Sequence, residues 1–289
     1  MRIRRRLVIW GVLPALLAPG VAMADEAGDT ASETETAVHG TLNNGEDITL
    51  PRNLFQVRER YAQLPDAEGR EPEKWTTTLR ADLWTGLGDG WKLYGRLDQP
   101  LVYAHEVTSS FNPNGHSRFG QGDLLTEIAI IAPPPNARLG YGAGVRVAWP
   151  SGGLNAAGDG KYQIGPVLGA RYSLPELGPG SFFLTQVIYL NSVASRNHNS
   201  GRADIDQLNI QPKFNVALPD NWFLTAYASE NIQINYGDDG KLFLPFDLMV
   251  GRTIFDRVVA SLEYSRQLIH EKGFEPYQWQ LEGRIGYYF

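Results

Sequence analysis

The 289-residue chain has no cysteine. That excludes a disulfide framework, a thiolate zinc site, a cysteine nucleophile and a lipid anchor attached through cysteine. Long apolar runs are missing too. Beyond the amino terminus nothing approaches the roughly 18 uninterrupted apolar residues of a spanning helix. Basic runs are absent past the first six residues, residues 25–47 hold no Lys or Arg at all, and the net charge is -6. Such a chain is poorly suited to nucleic acid.

What is present at the amino terminus is a cluster of Arg2, Arg4, Arg5 and Arg6, an apolar run from Leu7 to Ala18, and Ala22-Met23-Ala24 before Asp25. This pattern reads as a secretory signal peptide over residues 1–24, cleaved after Ala24. The remaining chain would carry 22 basic against 32 acidic residues. Residues 25–52, rich in Asp, Glu, Thr, Gly and Asn, are expected to form a disordered acidic tail in the periplasm. Residues 53–289 are the body of the protein.

The body alternates. In the last stretch, 277–289, Tyr277, Trp279, Leu281, Gly283, Ile285, Tyr287 and Phe289 fall on one face, and Gln278, Gln280, Glu282, Arg284, Gly286 and Tyr288 on the other. A period of two is a β-strand, and aromatics at both ends of its apolar face suit the two interfaces of a bilayer. Residues 137–149 and 207–218 alternate as cleanly. Connections dense in Gly, Pro, Asn and Asp separate such segments, and short and long ones alternate until the last two long ones shrink. The fold class expected is therefore all-β: a transmembrane antiparallel β-barrel of twelve strands with short periplasmic turns and longer extracellular loops. In the frame of Trp222, Leu224, Ala226 and Ala228, Glu230 would face lipid near mid-strand, so a bulge or frame change is expected there. Strand 182–194 has no clear greasy face.

Several phrases carry a family resemblance: WTTTLRADLW, WKLYGRLDQPLVY, GQGDLLTEIAIIAPP, GVRVAWPSG, GDGKYQIGPVLGARY and DIDQLNIQPKFNVALPDNWFLTA. In this order they resemble the outer-membrane barrels associated with the meta-pathway of phenol degradation, a family of presumed transporters. The resemblance covers about residues 53–289. It implies a barrel in the bacterial outer membrane that passes small solutes as a channel or uptake transporter, with aromatic or hydrophobic compounds as candidates. The terminal Gly286-Tyr287-Tyr288-Phe289 departs from the more aliphatic, proline-containing end expected of that family.

If the greasy frames face lipid, the opposite frames line the lumen. The solute path is assigned to Arg80, Lys92, Arg96, Asp123, Glu127, Arg138, Arg146, Lys161, Arg171, Gln207, Asn209, Gln211, Lys213, Glu263, Glu282 and Arg284. Two uses of such a lining stay open. It can be a hydrated charged passage, or a lattice of salt bridges that blocks the lumen of a structural barrel.

A third reading, an outer-membrane lipid hydrolase, rests on His198 and Ser200. A base that activates a serine must be held by a third group on rigid structure, and this run lies in a polar loop. No enzyme activity, cofactor or metal site is therefore expected. The partners expected are outer-membrane lipid and lipopolysaccharide, whose phosphates Arg266 could meet; the barrel-assembly machinery, through residues 277–289; and a small-molecule solute. No nucleic acid is expected.

Overall fold

The computed structural model describes residues 47–66, 69–108, 112–152, 157–195, 204–238, 240–271 and 273–289. Alternating sequence becomes strand almost everywhere: β1 Leu54–Gln63, β2 Glu73–Gly88, β3 Trp91–His105, β4 Arg118–Gln121, β5 Leu124–Ile131, β6 Leu139–Trp149, β7 Lys161–Ser173, β8 Phe182–Ser195, β9 Asp206–Ala217, β10 Trp222–Ala226, β11 Ile232–Asn235, β12 Lys241–Ile254, β13 Val258–His270 and β14 Trp279–Tyr288. β4 and β5 both pair with β3 and are two pieces of one strand. β10 and β11 both lie between β9 and β12, and are likewise one broken strand. Twelve antiparallel strands result, each paired with its neighbours in sequence. β1 closes the barrel against β14, with Leu54 opposite Tyr288 and Gln63 opposite Trp279. No α-helix occurs among the described residues.

The outward face is apolar. At the end where the turns are short, Phe55, Tyr141, Tyr172, Phe183, Trp222 and Tyr287 are exposed; near the opposite, loop end Trp75, Tyr103, Trp149 and Tyr162 are. Val57, Leu97, Ile128, Val145, Leu168, Leu262 and Ile285 lie between them. An apolar band between two aromatic girdles is the surface a bilayer accommodates. Cross-strand contacts order the loop-end girdle: Tyr61 meets Trp75 with ring centroids 4.8 Å apart and Trp279 at 5.1 Å.

Four places depart from simple alternation. On β8 the inward residues Phe182, Leu184, Ile188 and Leu190 are as apolar as the outward Phe183, Val187 and Tyr189, which explains why no greasy face stands out in its sequence. Tyr277 does not continue the outward face of β14. It precedes the strand and is buried against Phe243, ring centroids 4.9 Å apart. The last residues of the stretch expected to be a solvated tail are also buried: Asp47 is 2% and Thr49 4% exposed.

The fourth place is Glu230. Ala226 stands opposite Phe214, and Ile232 opposite Ile210. Residues 227–231 therefore face only 211–213, two extra residues that leave the ladder and turn inward. Burying a carboxylate against hydrocarbon is costly, and the chain avoids it by this excursion. Tyr227 takes the left-handed conformation, φ 53°, that starts it.

Candidate functional site

Inward side chains from neighbouring strands form ion pairs along the wall. Arg80 grips Asp98 through Nε and Nη2, at 2.7 and 2.6 Å. One step along the same strand pair, Arg96 grips Asp82 at 2.8 and 3.0 Å. Such two-point pairs fix orientation as well as charge. Near the seam, Glu282 of β14 accepts from Arg58 Nε at 2.7 Å, Arg60 Nε at 2.5 Å and Arg284 Nε at 2.6 Å. Arg284 also pairs with Glu263.

The excursion at 227–231 meets this wall inside the barrel. Ser229 receives a hydrogen bond from Arg284 Nη2 at 2.9 Å and donates to Glu263 Oε2 at 3.0 Å. Asn231 donates to Asp247 and accepts from Gln280 Nε2 at 3.5 Å. Gln211 holds the Ala228 carbonyl. Glu230 reaches across to β6, where Arg146 donates to it through Nη2 at 2.8 Å while giving Nε to Glu127 at 2.8 Å. Arg146 is 3% exposed, Glu127 1%. One guanidinium thus ties the wall to the excursion across a chord of the lumen.

A second obstruction lies toward the turn end. From the start of β1, residues 47–52 run inward to the wall formed by β6 and β7. Asp47 Oδ2 accepts from Arg171 Nη1 at 3.0 Å, and its Oδ1 accepts from the Thr49 backbone at 2.9 Å and hydroxyl at 2.7 Å. Glycine makes the approach possible. A Cβ at Gly140 would lie 3.0 Å from Thr49 Cβ, and one at Gly169 3.0 Å from Ile48 Cδ1. Since β7 is far round the barrel from β1, this segment forms a crossbar.

Between crossbar and excursion lies a cavity of about 260 Å³. Its lining includes six basic side chains, Arg58, Arg60, Arg80, Arg96, Arg146 and Lys213, against two acidic ones, Asp98 and Glu230. Glu282, Asp82 and Glu127, which balance several of these arginines, are not part of that surface. The face toward the cavity is therefore cationic although the network behind it is nearly neutral.

Most of the residues assigned to the solute path from sequence do point inward: Arg80, Arg96, Glu127, Arg146, Lys161, Arg171, Gln207, Asn209, Gln211, Lys213, Glu263, Glu282 and Arg284. Lys161 sits at the loop end, donating to Asp204 at 2.9 Å and holding that carboxyl below its usual range. Three assigned residues lie elsewhere. Arg138 is exposed outside β6, in the turn before it, and pairs with Glu176 at 2.6 Å. Lys92 sits near the turn end with its ammonium 5.0 Å from the Trp84 ring centroid. Asp123 occupies the break between β4 and β5, where it accepts from the backbones of Gly152 at 3.0 Å, Asp159 at 2.5 Å and Gly160 at 3.3 Å. It ties down a loop and lines no path. His198 and Ser200 lie outside the described residues.

Sequence reasoning missed Arg58 and Arg60, although their frame with Gln56 opposes Phe55 and Val57. The outward Glu59, bonded to Thr77 at 2.5 Å, blurs that signal. It also missed Gln186, because the rest of its face is apolar, and Asp47 and Ile48, which belong to no strand.

A closed twelve-strand barrel with an apolar exterior and a charged lumen has the architecture of outer-membrane β-barrels. Solved structures bear this out at the level of fold. An outer-membrane channel from Pseudomonas putida F1 superposes with TM-score 0.62 at 15% identity, covering 83% of this chain and 96% of that one. The NanC porin superposes with TM-score 0.50 at 12% identity, covering 81% and 98%. No protein-family model matches the chain, and no curated protein matches it.

Proposed function

We propose that the chain is an outer-membrane channel through which small solutes pass passively. The observation that carries this reading is the cationic cavity enclosed by a closed barrel whose outer wall suits lipid. The short-turn end faces the periplasm, residues 1–24 direct export, and residues 277–289 present the closing strand to the assembly machinery. Neither a catalytic constellation nor a cofactor is part of the proposal. The cationic lining favours solutes that carry negative charge, and the aromatic compounds suggested by the family resemblance would pass best as their acids.

A second reading has a specific observation behind it. Crossbar and excursion obstruct the lumen at two levels, as in a structural barrel with a blocked interior. Planar-bilayer recording of the refolded chain separates the two. Discrete current steps with a reversal potential on the anion side are expected, and neutralising Arg146 and Lys213 should move that potential toward zero. A folded but silent barrel would overturn the channel and leave the structural reading.

A further inference from the structure

On the outer wall beside the seam, the lipid-facing surface has a hollow. Gly283 of β14 faces outward, and nothing lies within 4 Å of where its Cβ would stand. It pairs with Leu262 of β13, and two residues from Leu262 toward the turn end is the small outward Ala260. Around them Val57, Val250, Leu262 and Ile285 wall a groove of about 680 Å³. That falls within the ~300–1,000 Å³ of sites that hold drug-sized molecules.

The groove ends in a charge. Arg252 of β12, exposed on the same wall, stands opposite Ala260 on one side and opposite Trp222 of the turn-end girdle on the other. A guanidinium facing hydrocarbon is costly, and a long side chain avoids this by reaching to the interface. Its Nε donates to the Asp220 carbonyl at 3.1 Å, and its Cζ lies 5.5 Å from the Trp222 ring centroid. Both Nη groups are left without a hydrogen bond or ion pair among the described residues. Arg138, also exposed at the turn end, differs in being paired with Glu176 at 2.6 Å. The acid in the groove lining, Glu59 on β1, is three strands from Arg252 and accepts from Thr77 on its far side.

We propose that this groove is a binding site for one phospholipid of the leaflet at the turn end, its phosphate held by the two Nη groups of Arg252 and the upper part of an acyl chain laid over Ala260 and Gly283. Charge and shape both select it. A phosphate offers paired acceptors to a guanidinium edge, a match that arginine favours, and hydrocarbon fills a hollow that no side chain of the protein fills. From Arg252 the groove runs toward mid-membrane past Val250 and Leu262, the direction a chain takes from its headgroup. The wall of a barrel touches many lipids; this one is held by a charged fork. Such binding is independent of whether the lumen conducts.

The test is native mass spectrometry of the refolded full chain, released from neutral detergent micelles doped with phosphatidylglycerol. Diacylglycerol with the same chains serves as the lipid that lacks a phosphate. The parent should retain one phosphatidylglycerol and hold diacylglycerol far more weakly. Arg252→Gln should weaken retention about tenfold, the loss of one charge-assisted contact. Gly283→Leu, which grows a side chain into the hollow, should weaken it as much with Arg252 intact. Arg138→Gln removes an equal charge at the same end and should change nothing. Far-UV circular dichroism checks that each variant folds.

A folded Arg252→Gln variant that retains phosphatidylglycerol as well as the parent would overturn the proposal and leave annular lipid only. Equal retention of diacylglycerol would do the same, as would a Gly283→Leu variant that keeps the lipid or an Arg138→Gln variant that loses it. If the variants fail to fold, the parent's preference between the two lipids decides: no preference for the phosphate overturns the site.

Discussion

Arg146 carries more of the interior than any single partner does. Its guanidinium serves Glu127 on the neighbouring strand and Glu230 on the excursion, the first bond fully buried and the second open to the cavity on the Glu230 side. Truncating it leaves the buried Glu127 carboxylate without a counter-charge, and breaking such a buried pair costs about 3–5 kcal/mol. Arg146→Ala is therefore expected to lower the urea midpoint of the refolded barrel substantially. The triple change Arg146→Met, Glu127→Gln, Glu230→Gln should recover much of the loss, because it removes the charges together. Equal midpoints for parent and Arg146→Ala would show that water already screens these carboxylates.

At the scale of elements, the broken strand β10–β11 decides how wide the lumen is. Residues 227–231, two more than the ladder needs, are displaced inward, with Ser229 bonded to Arg284 and Glu263, Asn231 to Asp247 and the Ala228 carbonyl to Gln211. Deleting Ser229 and Glu230 would leave three residues opposite 211–213 and restore a continuous ladder. Single-channel conductance should then rise severalfold, and no rise would show that the constriction lies elsewhere. This element was half legible in the sequence. A carboxylate in a lipid frame announced that something must give, because period-two alternation is local and Glu230 violates it. The destination of Glu230 was not legible, since Arg146 is 84 residues away in the chain. The regular strands were legible for the same local reason. β8 was not, because apolar residues occupy both its faces and a period of two then carries no contrast.

For the whole molecule, the crossbar is the part most hidden from sequence. Residues 47–52 read as the end of an acidic tail, and their place depends on Arg171, 124 residues onward, and on the glycines of two distant strands. Composition describes a segment's own solubility and says nothing of a groove that fits it. Arg171→Met should remove one anchor of Asp47 and loosen the crossbar, so that conductance increases and its open-channel noise changes. Unchanged traces would mean that the segment holds its place without Arg171, through contacts such as that of Arg52 with the Asp256 carbonyl.

The seam between β1 and β14 joins the two ends of the body, and Arg58 lies 224 residues from its partner Glu282. Pairings of such separation are slow to form because the intervening chain must be gathered first. The last strand in the chain is thus the one that turns an open sheet with two sticky edges into a cylinder. Until that moment the arginines of β1 have no acid beside them from β14, and no enclosed cavity exists for a solute to enter. Assembly and the ion-pair network of the lumen are completed in a single event, so a chain stalled one strand short would be both prone to aggregate and without its enclosed cavity.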